Sequence, residues 1–319
     1  MCTIWRLQTK TGGEPDKEQH IGEYCYNNKL IAMGWNLVDK KIPQYDRESI
    51  REDFDKYLEY ARAYSGKGIY SVRRLKEDVK ENDLVWMRIR GIYYIGRICE
   101  GSRWFFDASS NATEYDASNQ RDKIEWHKAG DEGDVPGVII TAFIQGTAFQ
   151  RINAEGAKMF SCALYNKLSG KEHYTNLRHQ MKMDTFYDYL SPSDAEDLLC
   201  FWLYQKEGYI VIPSTNKLAT QLYECVLLDT SNGKKAFIQV KMGSNRIDVQ
   251  DYLKLSDQGE VFLLQTKEFY DNKDKGNKKI HCVKPKELFD FAKNKNNRNM
   301  LSSSINNWVE LLFVHDSKE

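Results

Sequence analysis

Short apolar runs separated by polar breaks dominate the first half of the chain, whereas helical stripes alternate with apolar runs in the second. MCTIWRL and KLIAMGW have the length and character of strands. DRESIREDFDKYLEYARAY places Ile50, Phe54, Tyr57, Leu58 and Ala61 at helical spacing and predicts one helix that stops at Ser65 and Gly66. NDLVWMRI, GIYYIGRICE and RWFFDAS read as three strands of a meander broken at Gly91 and Gly101. Residues 107–122, rich in Ala, Ser and Asn, read as an exposed loop. KIEWHK and VPGVIITAFIQGTAFQRI return to strand character, with a turn at Val135-Pro136-Gly137. Several short strands around one helix predict a small barrel that ends near residue 155.

A connecting helix and a polar segment follow over residues 156–192, ending at the break Ser191-Pro192-Ser193. In SDAEDLLCFWLYQKEG the residues Leu198, Leu199, Trp202 and Leu203 form an apolar stripe, with Ser193 as N-cap and Gly208 as stop. YIVIPST, LYECVLLD, KAFIQVKMG and EVFLLQT read as strands, DTSNGK as a hairpin loop with the Asn-Gly signal, and DVQDYLKL as a helix. The prediction is an α+β protein of two domains: a strand-rich barrel with helices over residues 1–155 and an α/β core over residues 193–319.

Composition narrows the setting. The chain has 319 residues, enough for two cores, with 41% hydrophobic and 29% charged residues. No stretch approaches the ~18 consecutive apolar residues of a membrane span, and MCTIWRLQTK lacks the apolar centre of a secretory signal, so a cytoplasmic protein is expected. Seven cysteines stand singly, without a CxxC pair, which predicts free thiols and no zinc site. His281 beside Cys282 reads as a strand-edge pair. A formal net charge of zero removes any global signature of nucleic-acid binding. Between Lys273 and Arg298, Lys275, Lys278, Lys279, Lys284, Lys286, Lys293 and Lys295 form either a local basic patch or a solvated helix face.

The stretch AFIQVKMGS carries the candidate chemistry. On a strand, Phe237, Gln239 and Lys241 share one face while Ile238 and Val240 share the other. A hairpin with LYECVLLD sets the carboxylate of Glu224 beside that Gln/Lys face. A hard cation takes oxygen ligands such as a carboxylate and an amide carbonyl, and a lysine beside it can orient water or steady a phosphate. The same residues could instead be an ordinary cross-strand ion pair between Glu224 and Lys241. Glu196, three residues after Ser193, is either a fourth site residue or the partner in a capping box.

A helix with Glu196, then Glu224 before a hairpin, then Gln239-Val240-Lys241, resembles the PD-(D/E)XK nuclease superfamily in its QxK branch, the Mrr-like restriction endonucleases. The likeness spans roughly residues 190 to 270. It implies a PD-(D/E)XK nuclease core in which Glu224, Gln239 and Glu196 hold Mg2+ or Mn2+ and Lys241 is the catalytic lysine. Glu224 stands where the family usually has Asp, and Gln239 lacks the charge of Glu, and each change weakens metal binding.

The first half is rich in large aromatics, among them Trp5, Trp35, Trp86, Tyr93, Tyr94, Trp104 and Trp126. Most aromatics in a small barrel are core, yet a pocket for an extruded base also needs such walls. The opening strand with Trp5, then IAMGW, a helix, and ENDLVWMRIRGIYYIGRI resembles the PUA superfamily, which includes EVE and YTH domains. Asp83 before Leu84-Val85-Trp86 is similar to that group's Gly-Asp-hydrophobic step, with Asn82 in place of glycine. The resemblance implies a PUA-like barrel that binds modified bases, with Trp35, Trp86, Tyr94 and Trp104 as candidate walls. Together the two resemblances imply a modification-dependent restriction endonuclease acting on double-stranded DNA, as a homodimer since two strands are cut, in defence against phage. The alternatives are a nucleic-acid or nucleotide sensor without catalysis, and a nuclease for RNA or single-stranded DNA.

Overall fold

The computed structural model describes residues 2–9, 21–38, 40–62, 67–144, 146–175, 177, 182–183, 186–187, 190–217 and 222–312. The chain divides into two compact units, residues 1–177 and 178–319.

In chain order the first unit contains β1 (Ile4–Leu7), α1 (Ile21–Asn27), β2 (Ile31–Met33), α2 (Gln44–Glu48), α3 (Phe54–Ala61) and α4 (Lys67–Arg73), the last running into a π-helical turn. There follow β3 (Leu84–Ile89), β4 (Ile92–Ile98), β5 (Trp104–Phe106), α5 (Ser110–Glu114), β6 (Asn119–Arg121), β7 (Ile124–Gly130), α6 (Gly137–Ala142), β8 (Phe149–Arg151) and α7 (Glu155–Ser169). A five-stranded sheet has the order β7-β4-β3-β1-β8, and a separate three-stranded sheet the order β2-β6-β5. The expected barrel is therefore not closed among the described residues. Its two sheets stay open because β2, β5 and β6 pair only with one another, three residues each, while β7 and β8 end the larger sheet. One apolar core draws on both sheets, from Val85 and Met87 of the larger to Ile31, Trp104 and Phe106 of the smaller, with Phe54 and Tyr57 of α3 between.

Several segments differ from the pattern-based expectation, among them the additional helices α1 and α4. The single helix over residues 46–64 is two, because Asp53 caps a new start: its carboxylate accepts the Lys56 N–H at 2.9 Å. The expected stop at Ser65 and Gly66 lies outside the described residues. The expected loop at 107–122 holds α5, capped by Ser109, and β6, whose polar residues are buried by side-chain hydrogen bonding rather than by apolarity. VPGVIITAF forms α6 directly after Pro136, whose fixed φ suits a helix start; a short apolar run does not by itself distinguish strand from helix. The helix expected as a connection, α7, packs on the first unit, where Ser161 accepts the Trp86 indole N–H at 2.8 Å and Tyr165 donates to Glu125 at 2.8 Å.

The Asn82-Asp83 step explains how the parallel β1–β3 pair is closed. Asn82 sits at φ 65, the left-handed conformation that glycine or asparagine adopts with least strain. The buried Asp83 carboxylate accepts the Thr3 N–H at 2.8 Å, the Trp5 indole at 2.9 Å and the Lys80 N–H at 3.0 Å.

The second unit contains α8 (Pro192–Glu207), β9 (Tyr209–Val211), β10 (Cys225–Asp229), β11 (Lys235–Lys241) and β12 (Ile247–Asp248). After these come a 3-10 turn (Val249–Tyr252), α9 (Leu253–Ser256), β13 (Glu260–Gln265), β14 (Tyr270–Asp271), β15 (Ile280–Val283), α10 (Pro285–Lys293) and α11 (Ser303–Leu312). The main sheet has the order β15-β13-β11-β10-β9. β9, β10 and β11 are antiparallel neighbours, and β13 and β15 add on parallel to β11. The DTSNGK hairpin turns with Gly233 at φ 70, while the Asp229 side chain accepts from Ser231 and Asn232. On one face of the sheet Val226, Phe237, Val261 and Leu263 pack with Tyr252 and Leu255. The other face buries Ile238, Val240, Phe262 and Leu264, and α8 packs against β11. All seven cysteines are free. His281 on β15 pairs with Glu260 at 2.7 Å and stacks on Phe262.

Candidate functional site

The helix that carries Glu196 begins two residues earlier than the sequence suggests. Ser191, not Ser193, is its N-cap: the Ser191 hydroxyl accepts the Asp194 N–H at 3.1 Å, and the Asp194 carboxylate accepts the Ser191 N–H at 2.9 Å. Pro192 at the first helical position fits this start, because a proline there gives up no helical hydrogen bond. Asp194 is thus the reciprocal partner of the capping box, and Glu196 takes no part in it.

Released from the cap, Glu196 belongs to a different cluster. Burial pushes its carboxyl up to about 7, the charges of Glu224 and Asp197 add to the rise, and Lys241 opposes it. Glu196 therefore lies within electrostatic reach of both Glu224 and Lys241, although it comes from a helix and they from strands.

The strand pair supplies the rest. The antiparallel register sets Cys225 opposite Ile238 and so brings Glu224, one residue earlier, against Gln239. The Gln239 amide N–H donates to Glu224 Oε1, and Lys241 Nζ stands 3.7 Å from the same oxygen. Gln239 is 1% exposed, and its Oε1 is buried without a hydrogen-bond partner. The face that begins with the buried ring of Phe237 thus becomes polar towards the C-terminal end of β11, where Lys241 reaches solvent. Gln265, in register with Lys241 on β13, fixes the chain that leaves this end. Its Nε2 donates to the carbonyls of Gly243 at 3.0 Å and Asn245 at 2.7 Å, and its Oε1 accepts the N–H groups of Lys267 and Phe269.

Glu224 offers a carboxylate beside the Gln239 amide, whose nitrogen faces it, and Glu196 lies within its electrostatic reach; a pair of carboxylates is the kind of oxygen donor a hard divalent cation takes. Among the described residues no group of three or more His, Cys, Asp or Glu side chains is placed to hold a metal ion.

Sequence reasoning did not single out several neighbours. Cys200, four residues after Glu196 on α8, shares a thiol hydrogen bond with Cys225, which follows Glu224. Tyr252, buried on the Phe237 face, has its phenol pushed up to about 12 by burial, then by Asp251 and Glu224. The i, i+4 spacing of Glu196 and Cys200 is the one visible hint, since both then lie on one side of the helix.

In the first unit the four candidate wall residues are not gathered in one place. Trp86 is 0% exposed, alternates with the core residues Val85 and Met87, and has its N–H engaged by Ser161, so it is a packing residue of the opposite sheet face. Tyr94 lies against Tyr26, ring centroids 5.0 Å apart. Trp35 and Trp104 do share a neighbourhood, around Tyr57 and Asn119. The Tyr57 ring is 5.8 Å from Trp104, its hydroxyl donates to the Trp35 carbonyl at 3.4 Å, and Asn119 Nδ2 donates to the Tyr57 oxygen at 3.0 Å and the Gly34 carbonyl at 2.6 Å. Trp104 Nε1 and Asn119 Oδ1 are buried without partners. Trp35, Leu37 and Asp116 all have left-handed backbones, at φ 60, 67 and 51, a costly local concentration for residues other than glycine. A Cβ on Gly34, the glycine of IAMGW, would crowd the Asp116 carboxylate, a side-chain end that would have to move aside. Asn119 was invisible in the sequence because it falls in a segment that reads as loop.

No helix among the described residues is long and apolar enough to cross a membrane. Lys275, Lys278, Lys279, Lys284, Lys286, Lys293 and Lys295 are all exposed, as either reading of that stretch requires. No family model, curated protein or solved structure matches the chain.

Proposed function

We propose that the protein is a metal-dependent endonuclease that cuts double-stranded DNA carrying a modified base, acting as a homodimer in defence against phage. The observation that carries the reading is the meeting of Glu224, Gln239 and Lys241 on adjacent strands, with Glu196 of the preceding helix within electrostatic reach. These are the residues on which the likeness to QxK nucleases rests, and the finding that Asp194 fills the capping box leaves Glu196 free for the site. Glu224, Gln239 and Glu196 would hold Mg2+ or Mn2+, and the bound cation would supply Lewis acidity and an acidified water. Lys241 extends from the buried strand to the solvent edge, where its ammonium can meet a phosphate oxygen.

For the first unit we take Trp104 and Tyr57, whose rings meet, as walls with Asn119 beside them, and keep Trp35, whose backbone carbonyl the Tyr57 hydroxyl contacts, as a neighbouring candidate. Aromatic rings beside an unpartnered donor, Trp104 Nε1, and an unpartnered acceptor, Asn119 Oδ1, are the chemistry that stacks and reads a base edge.

A second reading, a sensor without catalysis, draws support from the small carboxylate count: Gln239 replaces an acid, and Glu224 is already bonded to Gln239 and Lys241. Matched duplexes that are unmodified, methylated, hydroxymethylated or glucosylated separate the two readings, with single strands and RNA as competitors. Cutting confined to one modified duplex supports the nuclease; binding of that duplex without cutting supports the sensor.

A further inference from the structure

The Gln239 amide is turned the wrong way round for a metal ligand. Its Nε2 donates to Glu224 Oε1 and, at 3.4 Å, to the Val240 carbonyl, while Oε1 has no partner in a fully buried setting. Charge dictates this orientation. An ionised carboxylate only accepts hydrogen bonds, so the amide must present its donor; the reverse rotamer would set two oxygens against each other. A divalent cation between the two side chains inverts the preference, because it takes oxygen and repels N–H.

We propose that Gln239 is an amide latch on the metal site. In the metal-free protein its N–H, together with Lys241, neutralises Glu224 and keeps the site closed upon itself. Loading requires a half-turn of the terminal amide, which exchanges nitrogen and oxygen at nearly constant volume and gives the orphaned Oε1 its first partner. Burial makes the latch selective, since water cannot solvate the freed N–H in place of Glu224. An ion must therefore displace a charge-assisted hydrogen bond before it binds, and a glutamate at this position would have no donor to displace. The inference rests on the reading of Glu196, Glu224 and Gln239 as a metal site.

The test uses the full chain without nucleic acid. Mg2+ is titrated into 15N-glutamine-labelled protein, the Gln239 side-chain amide pair being assigned by its loss in Gln239→Glu. Calorimetry then gives Mn2+ and Mg2+ affinities for the wild type, Gln239→Glu and Gln239→Leu, with near-ultraviolet circular dichroism as the folding check. The latch predicts a saturable shift of the Gln239 pair, affinity about tenfold or more higher for Gln239→Glu, and weaker binding by Gln239→Leu. Metal binding by the wild type with an unmoved Gln239 pair overturns the latch but keeps the site. Wild-type affinity equal to that of Gln239→Leu does the same. If folded wild type and folded Gln239→Glu both fail to bind either ion, the metal reading itself falls, and the latch with it.

Discussion

Asp83 in the first unit and Glu224 in the second are both acids beside a sheet strand, and they spend their charge differently. Asp83 is 2% exposed and receives three donors, two from backbone and one from the Trp5 indole. Three of its acceptor sites are spent on these donors as β1 closes against β3. Glu224 keeps its side chain 29% exposed and accepts from a Gln239 amide whose other end is unsatisfied, with Lys241 at 3.7 Å. A buried polar cluster that is fully satisfied specifies a fold, whereas one with orphaned atoms at a solvent edge is equipped for chemistry.

The comparison predicts opposite phenotypes for the two acids and their partners. The largest expected effect is on turnover: Lys241→Ala should lower metal-dependent cleavage by at least about 100-fold with duplex binding and thermal stability retained. Asp83→Ala should instead act on folding, since it leaves the buried Trp5 indole and the Thr3 and Lys80 N–H groups without their acceptor; a loss of roughly 2 kcal/mol in chemical denaturation is expected, with no specific loss of cleavage in the folded fraction. An Asp83→Ala protein as stable as wild type would erase the contrast.

Glu196 sharpens the same comparison through pH. Its carboxyl is raised from 4.5 to about 7 in the folded state, so the folded protein binds the extra proton between those values. Stability contributed by the neutral form is present at low pH and declines as pH rises through that window, by on the order of 2 kcal/mol. Denaturation of the metal-free protein across the window should show this decline, and Glu196→Gln should reduce it, leaving the share of Asp197, whose carboxyl burial raises to about 6. The smallest pair concerns the cap: Ser191→Ala should cost about 1 kcal/mol, whereas Ser193→Ala should stay within about 0.5 kcal/mol.

Legibility in the sequence followed the physics of each segment. The β10–β11 hairpin was readable because alternation fixes faces and Asn-Gly fixes the turn, so Glu224, Gln239 and Lys241 could be matched before any coordinate was known. The N-cap of α8 was displaced by two residues because SPSD offers two serines, and the one that caps is Ser191, directly before the proline, with Asp194 as its partner. In the first unit apolar runs were ambiguous between strand and helix at residues 137–142, and the polar strand Asn119–Arg121 carried no apolar signal at all. Aromatic content announced that rings would be present without saying which face each occupied, so Trp86 proved to be packing while Trp35 and Trp104 converged on Tyr57.

The central claim is that the Glu224, Gln239, Lys241 and Glu196 cluster is a metal-dependent phosphodiester-cleaving site, and the most direct measurement is cleavage of modified duplex DNA with Mg2+ or with EDTA by wild type and Lys241→Ala. The account predicts cutting by the wild type with Mg2+ alone and binding without cutting by the variant. Equal cutting by both proteins, or cutting that persists in EDTA, would contradict it.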